Sequence, residues 1–407
     1  MNYLLIGAEF NNKGAEAMTL VALKNIYDND KNANVFLFSD WTRPSFKLKK
    51  ELTYLNIPLW YVRKLCGRKN VRCYKQRIKD FIKFFIPGKK SAFGTYNKIK
   101  KILKTIDITI DISGFAFSSK WGDEDTIDWI SQIDLMEKLG SKVYLMPQSF
   151  GPFDYKSNFV LEYGKRVLSK CELICAREQT GYNLLKELGL NNISLQADSV
   201  LSSNIFDIDI LIENYNNNER MYIERENNIA IIPNARLIDR GGMDVNLLLK
   251  FYKYIIDNYV EQYDFYLFAH AGEDIALCNL IKENYKTDNR VKLIDYVLPS
   301  FVFEKFVANM NFIVASRFHA IVHAYKENVP AIVLGWADKY KGLVLDVDQQ
   351  KYQIDLNYYD EAISAVNEMA DNYKSESEII KTRVIDIQKQ NCYNFLKTIG
   401  IKRYGNK

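Results

Sequence analysis

Short apolar runs alternate with segments of helical periodicity along nearly the whole chain, and this alternation constrains the fold more than any single motif. It predicts strand–helix units that assemble into mostly parallel sheets, which is an α/β fold. In the N-terminal half, strands are predicted at residues 3–7, 34–38, 106–112, 142–147, 172–176 and 193–197. The helices between them are predicted at residues 15–27, 126–139, 157–169 and 178–188.

A second series of the same kind occupies the C-terminal half. Its strands are predicted at residues 228–233, 264–269, 291–294, 311–315 and 331–334. Its helices are predicted at residues 245–259, 274–285, 299–308 and 318–327. One long helix, over residues 360–396, follows the last strand and is expected to pack back across the first series.

The chain is long enough for two domains, because its 407 residues exceed the roughly 250–300 at which single cores stop growing. We predict an N-terminal Rossmann-like domain at 1–201, an Asn- and Glu-rich linker at 202–228, and a C-terminal Rossmann-like domain at 229–358. Residues 359–407 are predicted to form a helical segment that packs on the N-terminal domain. Ligands of such sheets bind at the carboxyl ends of the strands, so a cleft between the domains is the expected site.

Basic residues are concentrated in one segment of the chain. Residues 61–104 carry 15 Lys and Arg against one acid, Asp80, although the net charge of the chain is only +5. Apolar side chains between them predict a helix with one apolar and one cationic face, which is typical of helices that bind anionic membranes. The apolar face favours a membrane over nucleic acid, and a charged solvent face on a core helix is the alternative.

Targeting and metal signals are weak. The first apolar stretch, residues 3–7, is too short for a signal peptide, and no run approaches the roughly 18 apolar residues of a membrane span. Six cysteines lack the two-residue spacing of zinc or redox motifs, so reduced thiols are expected. These features predict a cytoplasmic protein without a metal, bound at most peripherally to the inner face of the membrane.

The strongest local signal is Ser316-Arg317-Phe-His319, where an apolar strand turns into a helix. A helix N-terminus accepts phosphate or carboxylate, and Arg317 adds a planar fork for the same oxygens. His319 titrates near neutral pH and could transfer a proton, with a satisfied, partly buried histidine as the alternative. His323 follows at a spacing that allows zinc binding, but Ala320 replaces the Glu of the metalloprotease motif.

The loop from the first strand to the first helix contains Asn12, Gly14 and Glu16. Its glycine spacing does not fit the dinucleotide fingerprint, so a nicotinamide cofactor is not supported. Asn12 and Gly14 could present backbone N–H groups to a ligand. Glu16 could accept a proton from a hydroxyl, or it could simply compensate the helix dipole.

Further polar residues follow predicted strands and face the same cleft. Ser113, Gln148 and Ser149 offer hydrogen bonds of the kind that bind sugar hydroxyls. In the second domain, Arg236 follows the first strand and His270 follows the second. Arg236 is a candidate ligand for an anion, with a surface salt bridge as the alternative.

In order and spacing, these loops resemble those of the polysaccharide pyruvyl transferase family, and the resemblance covers most of the chain. The matching segments are Asn12-Lys-Gly14-Ala-Glu16-Ala, Pro147-Gln148-Ser149-Phe-Gly151-Pro152-Phe, Ala176-Arg177-Glu178, Leu188-Gly189-Leu190, Ala197-Asp198-Ser199, Ser316-Arg317-Phe-His319 and residues 330–339. The resemblance implies the two-domain GT-B fold. It also implies transfer of the pyruvyl group of phosphoenolpyruvate to sugar hydroxyls of a bacterial cell-surface glycan. Ala15 stands where many members have an acidic residue, and the loop at Trp336 differs from their Tyr-containing loop.

With this resemblance, the site residues take specific roles. His319 is expected to be the catalytic acid and Glu16 the base. The expected donor-binding residues are Arg317, Arg236, Ser316, His270 and Lys339. The expected acceptor-binding residues are Asn12, Gly14, Ser113, Gln148 and Ser149. The N-terminal domain would then be the acceptor side and the C-terminal domain the donor side.

The expected partners are phosphoenolpyruvate as co-substrate, a glycan acceptor that could be lipid-linked, and an anionic membrane surface through residues 61–104. Neither a metal, an organic cofactor nor nucleic acid is expected. Two rival functions stay open at this point. One is a GT-B glycosyltransferase that uses a nucleotide sugar, and the other is a glycan-binding protein that has lost catalysis.

Overall fold

The computed structural model describes residues 1–38, 43–67, 92–203, 211–213, 227–335 and 337–404. The central part of the predicted membrane-binding segment, residues 68–91, lies outside these ranges. So does most of the predicted linker, at residues 204–210 and 214–226.

The N-terminal half forms a parallel sheet of seven strands in the order β3-β2-β1-β4-β5-β6-β7. The strands are β1 (Asn2–Ile6), β2 (Asn34–Leu37), β3 (Thr53–Tyr54), β4 (Ile108–Asp111), β5 (Lys142–Gln148), β6 (Leu173–Ala176) and β7 (Ile193–Leu195). The connecting helices are α1 (Lys13–Asn29), α2 (Leu59–Leu65), α3 (Ala92–Leu103), α4 (Asp123–Lys138), α5 (Asn158–Leu168) and α6 (Gln179–Glu187).

The C-terminal half forms a second parallel sheet, of six strands in the order β10-β9-β8-β11-β12-β13. The strands are β8 (Asn228–Ile232), β9 (Asp264–Phe268), β10 (Val291–Ile294), β11 (Phe312–Ala315), β12 (Ala331–Leu334) and β13 (Gln353–Ile354). The helices are α7 (Ala235–Asp239), α8 (Val245–Tyr259), α9 (Ile275–Lys282), α10 (Ser300–Val307), α11 (Phe318–Lys326) and α12 (Asp338–Asp346). The predicted α/β fold with two Rossmann-like sheets is confirmed.

The central strands are apolar along their whole length because helices cover both faces of a parallel sheet. Every residue of β8, for example, is buried. One apolar cluster continues from one sheet to the other and contains Leu5 and Ile110 from the first and Ile232 and Ile313 from the second. Helix α1 packs against α10 and α11, so the two halves contact each other through these helices.

The strand order places a crevice at the same point in each sheet. From the central strand β1 the chain first adds β2 and β3 on one side and then adds β4 on the other side. In the second sheet the chain likewise adds β9 and β10 on one side of β8 and then adds β11 on the other side. Loops that leave neighbouring strands in opposite directions open a ligand crevice at the carboxyl ends. The loops after β1, β4, β8 and β11 therefore bound the cleft.

The chain returns to the first sheet at its end. Helix α13 (Tyr359–Lys389) is followed by a short 3-10 turn and by α14 (Phe395–Tyr404). The predicted single helix over 360–396 is interrupted because the Asn391 side chain accepts a hydrogen bond from Tyr393 N and caps a new start. Phe395 stacks on Tyr144 of β5, with ring centroids 4.0 Å apart. In the described ranges, no helix has both the length and the apolar content needed to cross a bilayer.

Candidate active site

The cleft contains a cavity of about 1430 Å³ that is bounded by both sheets. Its lining combines residues from the loops after β1, β4, β5 and β6 of the first sheet with residues from the loops after β8, β9, β11 and β12 of the second. The predicted site residues that line it are Asn12, Gly14, Ser113, Ser149, Arg236, His270, Arg317, His319 and Lys339. Residues more than 300 positions apart in the sequence thus face one space.

Arg317 and Arg236 are held side by side by two neighbouring acids. Arg317 is the N-cap residue of α11, and its Nε and Nη2 donate to Asp274 at 2.8 and 2.6 Å. The same Nη2 donates to Glu273 Oε1 at 2.8 Å, and Arg236 donates through Nε and Nη2 to Glu273 at 2.8 and 3.1 Å. Glu273 therefore bridges the two guanidinium groups.

This acidic pair fixes both arginines without using all their donors. Asp274 is fully buried and also accepts hydrogen bonds from Ala235 N and Ala271 N, each at 3.0 Å. The hydrogen bond from Arg317 lowers the pKa of Glu273, whereas burial raises that of Asp274. Within the described part of the chain, Nη1 of both arginines makes no hydrogen bond. Each guanidinium keeps N–H donors for a ligand.

His319 stands at the boundary between the domains. Its ring lies against Gly14 of α1, so closely that a Cβ on Gly14 would be 2.1 Å from Nδ1. Its Nε2 is buried without a hydrogen bond and lies 3.9 Å from Oδ2 of Asp198. Burial, followed by the positive charges of Arg177, His323 and Lys339, holds the pKa of His319 well below its usual value. The imidazole is neutral at neutral pH in this state.

The first domain contributes a buried polar cluster in which only Ser149 was among the predicted site residues. Arg177 donates to Asp198 Oδ2 at 3.0 Å and to Ser149 Oγ at 3.0 Å, and Ser149 in turn donates to Glu178 at 3.1 Å. Arg177 also lies over the Phe318 ring of the second domain, at 4.4 Å. A signal was present, because Arg177 and Asp198 follow the strands β6 and β7, as the predicted site residues follow theirs.

Lys339 and His270 also line the cavity, on the side of the second domain. Lys339 Nζ lies 5.0 Å from the centroid of Phe318, and burial together with the charge of Arg177 lowers its pKa to about 7. His270 is buried, with its ring 5.1 Å from that of Phe303 in an edge contact. Burial, followed by the charge of Arg317, lowers the pKa of His270 well below its usual value.

Glu16 does not fit the role of base that the sequence suggested. It is fully buried, does not line the cavity, accepts from Lys13 Nζ at 2.7 Å, and accepts from Ser300 N at 2.6 Å. Ser300 is the first residue of α10, so the carboxylate caps a helix of the opposite domain. This pairing links residues 284 positions apart and could not be predicted from the local sequence.

Two other predicted residues lie behind the cavity wall rather than on it. Gln148 is fully buried and donates to Asp111 Oδ1 at 3.2 Å. Ser316 is also fully buried, and its carbonyl oxygen accepts from Asn234 Nδ2 at 2.8 Å and from Tyr340 Oη at 2.9 Å. Both residues hold cavity loops in place.

The His323 side chain belongs to a buried network with Glu304 and Lys326. Its Nδ1 lies 2.7 Å from Glu304 Oε2, and Lys326 donates to the other oxygen of Glu304 at 2.8 Å. All three side chains are buried where α10, which carries Glu304, packs against α11, which carries His323 and Lys326. In the ranges that the structure describes, no three His, Cys, Asp or Glu side chains group as metal ligands.

Solved structures share this architecture. UDP-GlcNAc 2-epimerase from Neisseria meningitidis, bound to UDP-GlcNAc, superposes with a TM-score of 0.57 at 11% identity, over 96% of this chain and 100% of that one. The same enzyme from Methanocaldococcus jannaschii superposes with a TM-score of 0.51 at 12% identity, over 90% of this chain and 92% of that one. Anabaena Alr3699/HepE in complex with UDP gives 0.52 at 11% identity, over 100% of both chains. The neighbours establish the GT-B fold, and at such low identity they establish nothing finer.

The family comparison is more specific than the structural one. No curated protein sequence matches this chain. The family model for polysaccharide pyruvyl transferases, however, matches residues 12–338, a range that includes the loops of both domains around the cavity. The chain therefore belongs to the polysaccharide pyruvyl transferase family.

Proposed function

We propose that the protein transfers the pyruvyl group of phosphoenolpyruvate to two hydroxyls of a sugar, forming a cyclic ketal and releasing phosphate. The observation that carries this proposal is the pair of arginines on the Glu273–Asp274 acids, next to a histidine in the first turn of α11. A donor substrate that carries a phosphate and a carboxylate needs a site with a cationic group at each end and a residue between them that supplies a proton. Membership in the family supports the same reaction.

The donor would occupy the side of the cavity formed by the second domain. The unused N–H groups of Arg317 and Arg236 suit planar, bidentate contacts with phosphate and carboxylate oxygens. The N-terminus of α11 adds backbone N–H groups and a partial positive charge. Lys339 and His270 border the same space and supply further N–H groups for hydrogen bonds.

His319 would deliver the proton that starts the reaction. A trianionic donor offsets the cations that depress the pKa of His319, so donor binding should raise that pKa and charge the imidazole. The proton passes from His319 to the methylene carbon of phosphoenolpyruvate, whose π electrons form the new C–H bond. The neighbouring carbon becomes an oxocarbenium-like centre, which one sugar hydroxyl attacks.

Lys339 is the group that we propose as the base, in place of Glu16. Its pKa of about 7 in the protein without donor lets it exchange protons near physiological pH, and it takes the proton of the attacking hydroxyl. It then passes this proton to the phosphate as the C–O bond breaks. A second hydroxyl attacks the carbon, closes the ketal and returns its proton to His319. The protons balance, and the scheme requires no metal or organic cofactor.

The acceptor would be a cell-surface polysaccharide or its precursor, and a lipid-linked precursor would fit a protein that binds the inner face of the membrane. The cationic residues 61–104 are the segment proposed to bind anionic lipid, and residues 68–91 of it lie outside the described ranges. Flotation with vesicles of phosphatidylcholine and phosphatidylglycerol tests this part separately. Failure to float at low salt would remove the membrane from the proposal.

The reaction can be tested directly. The protein is incubated with phosphoenolpyruvate and glycans that have neighbouring free hydroxyls, and phosphate release is measured together with the mass of the product. We expect stoichiometric phosphate and pyruvyl ketal, and a loss of turnover on the order of 100-fold or more in His319→Gln. Unchanged turnover in that variant would exclude His319 as the acid.

A nucleotide-sugar glycosyltransferase remains the second candidate, because solved proteins with this fold bind UDP or UDP-GlcNAc. Thermal shift separates the two candidates. Stabilisation by phosphoenolpyruvate but not by UDP supports pyruvyl transfer, and the reverse supports glycosyl transfer. Glycan binding without turnover of either donor would instead indicate a binding protein.

A further inference from the structure

The cavity is much larger than the proposed donor. Its volume of about 1430 Å³ exceeds the ~300–1000 Å³ of pockets that enclose drug-sized ligands, and phosphoenolpyruvate is smaller than those ligands. The arginine pair and His319 come from the loops after β8 and β11, so they account for only one side. The remaining space needs a second ligand and residues that bind it.

Trp121 is an exposed aromatic side chain in the wall of this cavity. Its side chain is 39% exposed, and among the large apolar residues that are exposed in the described ranges it alone lines the cavity. A buried tryptophan would need no explanation, whereas an exposed one within a ligand cavity presents an aromatic face to the ligand. The C–H faces of pyranose rings are apolar and match such a face.

The orientation of this indole is fixed by its surroundings. Trp121 Nε1 donates to the carbonyl oxygen of Phe115 at 2.7 Å, and the Phe115 ring meets it edge-on at 5.7 Å. Trp121 ends a 3-10 turn that is capped by the Ser118 side chain and tied to the Pro152 carbonyl by the N–H and hydroxyl of Ser119. The polar edge of the indole is thus already satisfied, and the exposed part of its ring is left for contacts with carbon.

A cation from the opposite domain lies next to the same ring. The guanidinium carbon of Arg240, at the C-terminal end of α7, is 5.7 Å from the indole centroid. Arg240 lines the cavity and, within the described residues, forms no ion pair with an acid. Arg236 and Arg317, by contrast, are both paired with Glu273. Arg240 is therefore available to an anionic group of the second ligand.

We propose that Trp121 and Arg240 form the acceptor subsite, in which a sugar ring packs on the indole while Arg240 binds a phosphate or carboxylate that the sugar carries. The inference rests on the proposed function, because it assigns the second substrate of the same cavity. It defines the acceptor class as an anionic sugar, either a sugar phosphate or a uronic acid. It also makes the subsite a two-domain structure, with the aromatic surface on the first domain and the cation on the second.

Binding of sugars without any donor tests this subsite independently of catalysis. Calorimetric titration compares galactose, galactose 1-phosphate and galacturonic acid, and the same series built on glucose, in the wild type and in the variants Trp121→Ala, Trp121→Phe and Arg240→Gln. Tyr358→Ala is the matched control, because Tyr358 is a more exposed aromatic residue outside the cavity. Thermal unfolding establishes that each variant is folded.

We expect Trp121→Ala to weaken every sugar that binds by roughly tenfold, the factor that corresponds to ~1.4 kcal/mol. Trp121→Phe should recover part of this loss, because it restores an aromatic face. Arg240→Gln should weaken the anionic sugars by about tenfold and leave the neutral sugars unchanged. If Arg240→Gln weakens binding of only the sugar phosphates, or of only the uronic acids, that class of sugar carries the anionic group that Arg240 binds.

Unchanged affinities in Trp121→Ala would overturn the proposal, and so would a wild type that binds no sugar of the panel. An equal loss in Tyr358→Ala would also count against it. Failure of the pyruvyl transfer reaction gives a different pattern, in which phosphoenolpyruvate is not consumed while sugar binding still depends on Trp121. The two proposals can therefore fail separately.

Discussion

At the scale of single residues, the contact between Gly14 and His319 explains why a glycine stands in the first turn of α1. Glycine costs helix stability relative to alanine by roughly 0.5–1 kcal/mol, so its presence inside a helix needs a reason. The reason is the imidazole ring, which occupies the position of the missing side chain. The glycine lets the imidazole of one domain pack directly on the backbone of the other.

Gly14→Ala should therefore impair catalysis more than folding. The added methyl would stand 2.1 Å from Nδ1 and must displace the ring, and displacements of about 1 Å can cost on the order of 100-fold in rate. We expect kcat to fall by that order while far-ultraviolet circular dichroism stays unchanged. An active variant with normal kcat would show that His319 does not work from this position.

At the scale of secondary-structure elements, helices α1 and α10 are joined across the domain boundary by Glu16. The carboxylate accepts from the N-terminus of α10 and from Lys13 while fully buried. A buried charge is tolerated only when it is paired and hydrogen-bonded, and removing its charge leaves the partner unsatisfied. Glu16 therefore contributes to stability rather than to proton transfer.

Glu16→Gln should lower the free energy of unfolding by about 1–3 kcal/mol, because Lys13 loses its buried counter-ion. The control is Asp28→Asn in the same helix, which breaks the exposed Lys24–Asp28 pair and should change stability by at most ~0.5 kcal/mol. Chemical denaturation measures both. A Glu16→Gln protein of normal stability without turnover would restore Glu16 as a base.

At the scale of the whole molecule, His319, the proposed proton donor, and the carboxylate of Asp198 belong to different domains. Asp198 follows β7 of the first sheet and lies 3.9 Å from His319 of the second. A carboxylate at this distance favours the charged imidazolium. The same oxygen accepts a hydrogen bond from Arg177, whose positive charge lowers the pKa of His319.

Asp198→Asn should move the alkaline limb of the kcat profile to lower pH. Loss of the negative charge lowers the pKa of His319 further, so the protonated acid survives only in more acidic solution. At neutral pH we expect a rate loss of roughly tenfold or more that acidification partly rescues. A uniform loss at every pH would assign Asp198 a purely structural role.

The sequence allowed good prediction of the central strands and of the strand-to-helix junction at Ser316, because both depend on neighbouring residues. All the strands with a continuous apolar run were predicted. The edge strands β3 and β13, with two residues each and little apolar character, were missed. Loops after strands could be predicted to share a cleft from topology alone.

The contacts across the domain boundary could not be predicted from the sequence. Glu16 sits in a helical turn where an acid usually compensates the dipole, and nothing near it indicates Ser300 as its partner. Arg177 and Asp198 were recognised only as parts of a family pattern, because their pairing and their distance from His319 depend on how two sheets are placed in space.

The return of the chain from α13 to α14 has a mechanical consequence. The polypeptide passes between the two halves twice, once between β7 and β8 and once at the end of α13, and Gln388 Nε2 donates to the Ser203 carbonyl where these passages meet, at 3.3 Å. Two connections that meet at one edge tether the domains to each other there. We expect this tether to limit their separation, so that His319 keeps its place beside Gly14 and Asp198.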